Sequence, residues 1–228
     1  MRIGTAGWSI PTAFAGDFPS GGSHLERYAS VFSAVEINSS FHRPHRRATY
    51  ERWAASVPPD FRFSVKIPKT VSHTARLVNC DHLLDAFVNE TGGLAGKLEI
   101  VLLQMPPSLV YDERIADVFF GALRDRLAKA TQTACEPRHV SWFAETATAC
   151  MISHRVARVA ADLFSYPAAN SRVAGPACTI IGCTARRASI TRRMTVLVSP
   201  CLPTLWISMS PHGASSTTRR RARPPAMP

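Results

Sequence analysis

From Arg2 to Ala160 of this 228-residue chain, short apolar runs alternate with amphipathic segments, and no other feature narrows the fold as much. Arg2–Gly7 reads as a first strand and Ala34–Ile37 as a second. Phe61–Ile67 alternates as a third, and Leu98–Gln104 is a continuous apolar run, as in a strand buried on both faces. Thr133–Glu136 and Val156–Ala160 complete the series. Helical segments separate them at His24–Phe32, Thr49–Val57, Asp81–Glu90, Asp112–Ala130 and Glu145–His154. In the first of these, Leu25, Tyr28, Ala29 and Phe32 fall at helical spacing. Strand-helix alternation predicts a parallel sheet. An open doubly wound sheet of the dinucleotide-binding kind needs GxGxxG after its first strand, and IGTAGWS does not supply it. Polar residues follow nearly every strand instead, which suits a (β/α) barrel with its site at the strand C-termini.

The rhythm stops near residue 162. Residues 1–162 carry 18 Lys+Arg against 16 Asp+Glu, a balance of +2. Residues 163–228 carry nine Arg, no Lys and no acidic residue, and hold eight of the 17 prolines. The net charge of +11 is therefore a property of the tail, and the body is close to neutral. Sequence rich in Pro, Ser, Thr and Arg without periodicity is expected to be disordered. The expected organisation is an incomplete barrel over 1–162, about six of eight β/α units, followed by a tail over 163–228. No run approaches 18 apolar residues, so no membrane span is expected. The N-terminus lacks a signal-peptide pattern, which points to the cytoplasm. The six cysteines form no CxxC pair, so free thiols are expected rather than a structural zinc site.

Polar side chains at barrel strand ends converge on one mouth. Glu36 and Asn38 follow the second strand, Lys66 and His73 the third, and Gln104 the fourth. Glu136, Arg138, His139 and Trp142 follow the fifth, and Asp162 the sixth. Glu136 and Glu36 could work as an acid/base pair, or each could be neutralised by a neighbouring Arg or Lys. Lys66, Arg138 and His139, with Arg43 outside them, could hold phosphate or carboxylate. Trp8 and Trp142 could stack on a ring or cap the core. Cys135 should point away from Glu136 as a buried thiol. His42, His45, His73 and His139 lack ligand-pair spacing, so no metal ligands are assigned. A divalent metal rests on analogy with other barrels alone.

The segments IGTAGWS, AVEINSSFHRPHR, FRFSVKIPKTVSH, LLQMPPSL and ACEPRHVSWF resemble the YecE-like family, domain of unknown function number 72. The resemblance spans residues 1–162 and implies a TIM-type barrel, with His42 standing where the family usually has tyrosine. It also implies later strands containing YYRLHG and IFDNT, neither of which is present. Read in one shifted frame, Val173–Thr195 can spell the first string and Gly213–Pro228 the second. A frameshift near residues 162–174 is therefore expected, leaving an open barrel that is inactive and poorly soluble. The alternative is a natural basic tail that binds nucleic acid, although such tails commonly use lysine too. Function stays open between three readings. They are an enzyme-like barrel for a small anionic or phosphorylated ligand, a nucleic-acid-processing barrel resembling abasic-site endonucleases, and a non-catalytic scaffold. The body charge of +2 argues against the second. Oligomeric state is not legible.

Overall fold

Apolar residues two apart on successive strands dictate the architecture. In the computed structural model, which describes residues 2–161, 180–183 and 206–209, helix α1 (His24–Ala29) leads into strand β1 (Ala34–Ile37). Then follow α2 (Arg47–Ala55), β2 (Arg62–Lys66), α3 (Asp81–Thr91) and β3 (Leu98–Gln104). Next come α4 (Glu113–Arg126), β4 (Gln132–Glu136), α5 (Glu145–Ser153) and β5 (Val156–Arg158). The five strands pair in sequence order, all parallel.

Both faces of this sheet are buried, as a parallel sheet with crossover helices requires. Val35, Ile37, Phe63, Val65, Val101, Leu103 and Cys135 point to the helices, where they pack with Tyr28, Tyr50, Phe87 and Phe119. The alternate residues Ala34, Ile100, Leu102, Ala134, Ala157 and Val159 form a second cluster on the other face. Burial of each large side chain is worth roughly 1.5–3 kcal/mol. Helix starts are set locally. The Ser23 hydroxyl accepts from the Glu26 amide at 3.3 Å while Glu26 accepts from the Ser23 amide at 2.6 Å. Asp112 caps α4 by accepting from the Ile115 amide at 3.0 Å.

The structure departs from the sequence reading at both ends. The expected first strand, Arg2–Gly7, is reduced to a single bridge between Ala6 and Glu36. The Tyr28 hydroxyl explains why: it accepts from the Thr5 amide at 2.7 Å and donates to the Ala34 carbonyl at 3.0 Å, taking groups a ladder would use. Gly4 lies so close to β1 that a Cβ there would come within 2.1 Å of the Ala34 carbonyl oxygen. Gly7, at φ +81°, then turns the chain away.

At the other end, the expected strand Val156–Ala160 divides. Val156–Arg158 pairs with β4, whereas β6 (Ala160–Ala161) pairs with β7 (Ile180–Cys183), which pairs with β8 (Trp206–Met209). This second parallel sheet has three strands, and two of them fall within the stretch expected to lack regular structure. The rest of 163–228, Asp162 and the shifted-frame reading lie outside the described residues. Of the expected incomplete barrel, the pairing shows a parallel sheet. Among the described residues the five-stranded sheet is open, with no hydrogen-bonded ladder joining its edges. No described helix is long and apolar enough to cross a membrane. Among the described residues Cys80, Cys135 and Cys150 carry free thiols.

Candidate site at the strand C-termini

Side chains alternate along a strand, so the residues that share a face with the small apolar cluster can be read directly. Glu36 shares the face of Ala34, and Glu136 that of Ala134. Gln104 shares the face of Leu102, while Lys66 lies opposite Phe63 and Val65. Each stands at or near the C-terminal end of its strand. The four therefore emerge on one side, at one end, away from the helices.

Register then brings them together. Gln104 is paired with Glu136 across β3 and β4, and its Nε2 donates to Glu136 Oε2 at 2.8 Å. Arg138 Nη2 donates to the other oxygen, Glu136 Oε1, in a charge-assisted bond. Glu136 is thus buried with both oxygens engaged. Lys66 places its ammonium 4.4 Å from the Phe41 ring centroid. Burial lowers its pKa, and the nearby Arg138 guanidinium lowers it further, while Glu36 and Glu136 oppose both. The Ser40 hydroxyl sits 3.0 Å from the Ile37 carbonyl and 2.7 Å from that of Lys66, which pins the loop carrying Asn38 and Phe41 over the strand ends.

His73 joins this group from the Thr70–Thr74 turn. Its ring meets the Phe41 ring at 5.1 Å, and its Nδ1 lies 2.8 Å from the Ser72 hydroxyl. Burial, then Lys66 and Lys69, hold its pKa below the usual histidine value. Two buried polar atoms here lack hydrogen-bond partners: Asn38 Oδ1 and Arg138 Nε. An orphaned buried donor or acceptor costs about 1–3 kcal/mol.

His139 and Trp142 are placed differently. Pro137 ends the strand alternation, and Val140–Phe143 forms a short turn. His139 Nδ1 caps that turn, accepting from the Ser141 amide at 3.2 Å. Trp142 folds back into the helix-side core at 1% exposure, with Nε1 donating to the Leu109 carbonyl at 2.9 Å. Trp8 packs edge-on against Trp53 at 5.0 Å, and His45 lies 2.7 Å from the Ser39 hydroxyl. The histidines weighed as metal ligands are not gathered into one ligand group among the described residues.

Sequence reasoning missed Phe41, the platform under Lys66, and Arg158. Arg158 is a buried cation inside an apolar strand, and that was its signal. Its Nη2 donates to Thr148 Oγ1 at 2.8 Å and to the Trp142 carbonyl at 3.1 Å. It lies on the helix side, where it ties β5 to α5.

Comparison with known proteins agrees with this architecture. The family model described as "Protein of unknown function DUF72" matches residues 2–198, continuing past Asp162. UPF0759 protein YecE of Escherichia coli K12 is 32% identical over 145 residues, covering 64% of this chain and 51% of that protein. UPF0759 protein YunF of Bacillus subtilis is 28% identical over 149 residues, covering 63% and 52%. The chain thus spans about half the length of the curated relatives it matches. A DUF72 family crystal structure from Enterococcus faecalis aligns with a TM-score of 0.66 at 16% identity, covering 93% of this chain and 91% of that one. One from Thermotoga maritima aligns with a TM-score of 0.65 at 19% identity, covering 91% of each. At those identities the likeness is one of fold.

Proposed function

The chain belongs to the DUF72 family, and from that premise we propose that it binds a small anionic or phosphorylated ligand at the mouth of a TIM-type barrel. The observation that carries this reading is Arg138 Nε, a guanidinium donor buried without a partner beside the strand-end cluster. Arg138 also lowers the Lys66 pKa, by less than burial does and against Glu36 and Glu136. An anion there would satisfy the orphaned donor and offset the remaining repulsion between the two cations. Lys66 supplies a point charge and Arg138 a directional donor. Glu136, itself held by Gln104, fixes the guanidinium. Asn38 would orient the ligand by accepting from one of its hydroxyl groups through the unpartnered amide oxygen.

In this reading Glu136 is the acid/base group, Glu36 a second carboxylate and His73 a proton carrier at the rim. His139 and Trp142 support the loop rather than touch the ligand, because one caps a turn and the other is core. No metal enters the proposal. The barrel itself is supported by two buried sheet faces and by the likeness to DUF72 structures. Its closing strands would be those spelled by the shifted frame after Asp162, so the 228-residue chain is expected to bind weakly and the frame-repaired chain well.

The test is calorimetric titration of both chains with inorganic phosphate, then with a panel of phosphorylated sugars. Binding that disappears in Lys66→Met and in Arg138→Gln supports the reading. A repaired, folded chain that takes up none of these anions sinks it.

A further inference from the structure

Away from the strand ends, α4 and α5 each carry two donor side chains one helical turn apart. On α4 these are Glu113 and Asp117, and on α5 Cys150 is followed by His154 at its C-cap. Residues four apart share a helix face, and the two faces meet. The His154 Nε2 lies 2.8 Å from Asp117 Oδ1. The Cys150 Sγ, His154 ring nitrogen and Asp117 carboxylate oxygen all lie within 4.8 Å of one another. Glu113, Arg114, Asp117, Cys150 and Ser153 line one surface cleft, with Cys150 at 8% exposure within it.

We propose that Asp117, Cys150 and His154 form a three-ligand, zinc-type divalent cation site on the outer helical layer, with the fourth position left to water. The donor set is the reason. One thiolate, one imidazole and one carboxylate are ligands that borderline-soft Zn2+ accepts, and Mg2+ or Ca2+ would not favour the sulfur. The surroundings hold the ligands in place. Gly121, four residues after Asp117, faces the imidazole, where a Cβ would make ordinary contact with His154 Cε1 at 3.7 Å. The Phe120 ring lies 6.1 Å from it. Arg155, at φ +56°, ends α5 immediately after His154 and fixes where that ring projects. The Tyr111 hydroxyl stands beside the Cys150 thiol as an outer-layer partner. Binding would displace the thiol proton to solvent and replace the Asp117–His154 hydrogen bond with two metal bonds.

A plain Asp117–His154 ion pair predicts none of what a thiolate ligand would show. The 228-residue chain is therefore loaded with Co2+ as the spectroscopic probe, and in parallel with Zn2+. The expected result is a near-ultraviolet thiolate-to-cobalt band that is lost in Cys150→Ser, with affinity reduced roughly tenfold or more in Asp117→Asn and His154→Gln. Alkylation of Cys150, followed peptide by peptide, should slow roughly tenfold with Zn2+, while Cys80 keeps its rate. This second readout needs no variant, so it decides the matter if Cys150→Ser fails to fold. A band that survives Cys150→Ser would place the metal on another cysteine and overturn the proposal. So would Cys150 alkylation at one rate with and without Zn2+.

Discussion

The two faces of the five-stranded sheet are built from the same strands by different rules. Toward the helices every strand contributes bulk, with Phe63, Val65, Val101 and Leu103 all at 0% exposure. On the other face the strands are filled by Ala34, Ala134 and Ala157 beside Ile100 and Leu102, and then end in Glu36, Lys66, Gln104 and Glu136. Small residues there give this face less bulk beneath its polar strand ends than the helix-side face carries. One face supplies the burial energy, and the other uses some of it to keep charges out of water. Substitutions should therefore separate by face: helix-side changes should lower stability, and strand-end changes should lower binding.

The sharpest break of that comparison is Phe63→Ala. The side chain is fully buried against Phe61 at 5.2 Å, so its loss should cost about 3–5 kcal/mol in urea titrations. A loss below about 1 kcal/mol would mean that the helix-side face is not the main source of stability. On the other face, Lys66→Met in the frame-repaired chain should weaken phosphate binding by about 1.5–3 kcal/mol and leave the denaturation midpoint nearly in place. Equal losses of stability and binding would erase the distinction. A smaller effect is expected at the edge of the sheet, where the Tyr28 hydroxyl ties Thr5 to Ala34. Tyr28→Phe keeps the buried ring but strands one half-buried amide and one buried carbonyl, and should cost about 1–3 kcal/mol. Hydrogen exchange should localise that loss to the first seven residues and β1.

How much of this was legible in the sequence follows the same division. The strand-end set was readable because strand ends are a local signal: once Phe61–Ile67 and Leu98–Gln104 are strands, Lys66 and Gln104 fall at their C-terminal ends, and pairing register then puts them on one face. The unbroken run at Leu98–Gln104 also announced a strand buried on both faces, and Ile100 to Leu103 are buried throughout. Where His139 and Trp142 lie was not legible because Pro137 ends the strand, after which alternation no longer says where a side chain points. The Arg2–Gly7 strand was lost to a hydroxyl 23 residues away, a competitor that only tertiary packing reveals. Cys150 and His154 could be seen as a helical pair, but Asp117 joins them only once α4 and α5 are packed.

The finest test of the two-face picture is a pH dependence. Lys66 sits on the polar face, and burial lowers its pKa from the usual 10.5 against the pull of Glu36 and Glu136. Between the folded value and 10.5 the unfolded chain binds more protons at this site than the folded one, so stability rises with pH across that window. Below the window both states are charged, and the folded state carries the full cost of burying the ammonium. In Lys66→Met this contribution vanishes, and the stability-pH slope above neutrality should flatten relative to the unsubstituted chain. Arg138→Gln should change the slope in the same direction but less, because burial is the larger cause of the shift and the guanidinium the smaller. If Arg138→Gln flattened the slope more than Lys66→Met did, the repelling pair, and with it the anion site, would have to be placed elsewhere.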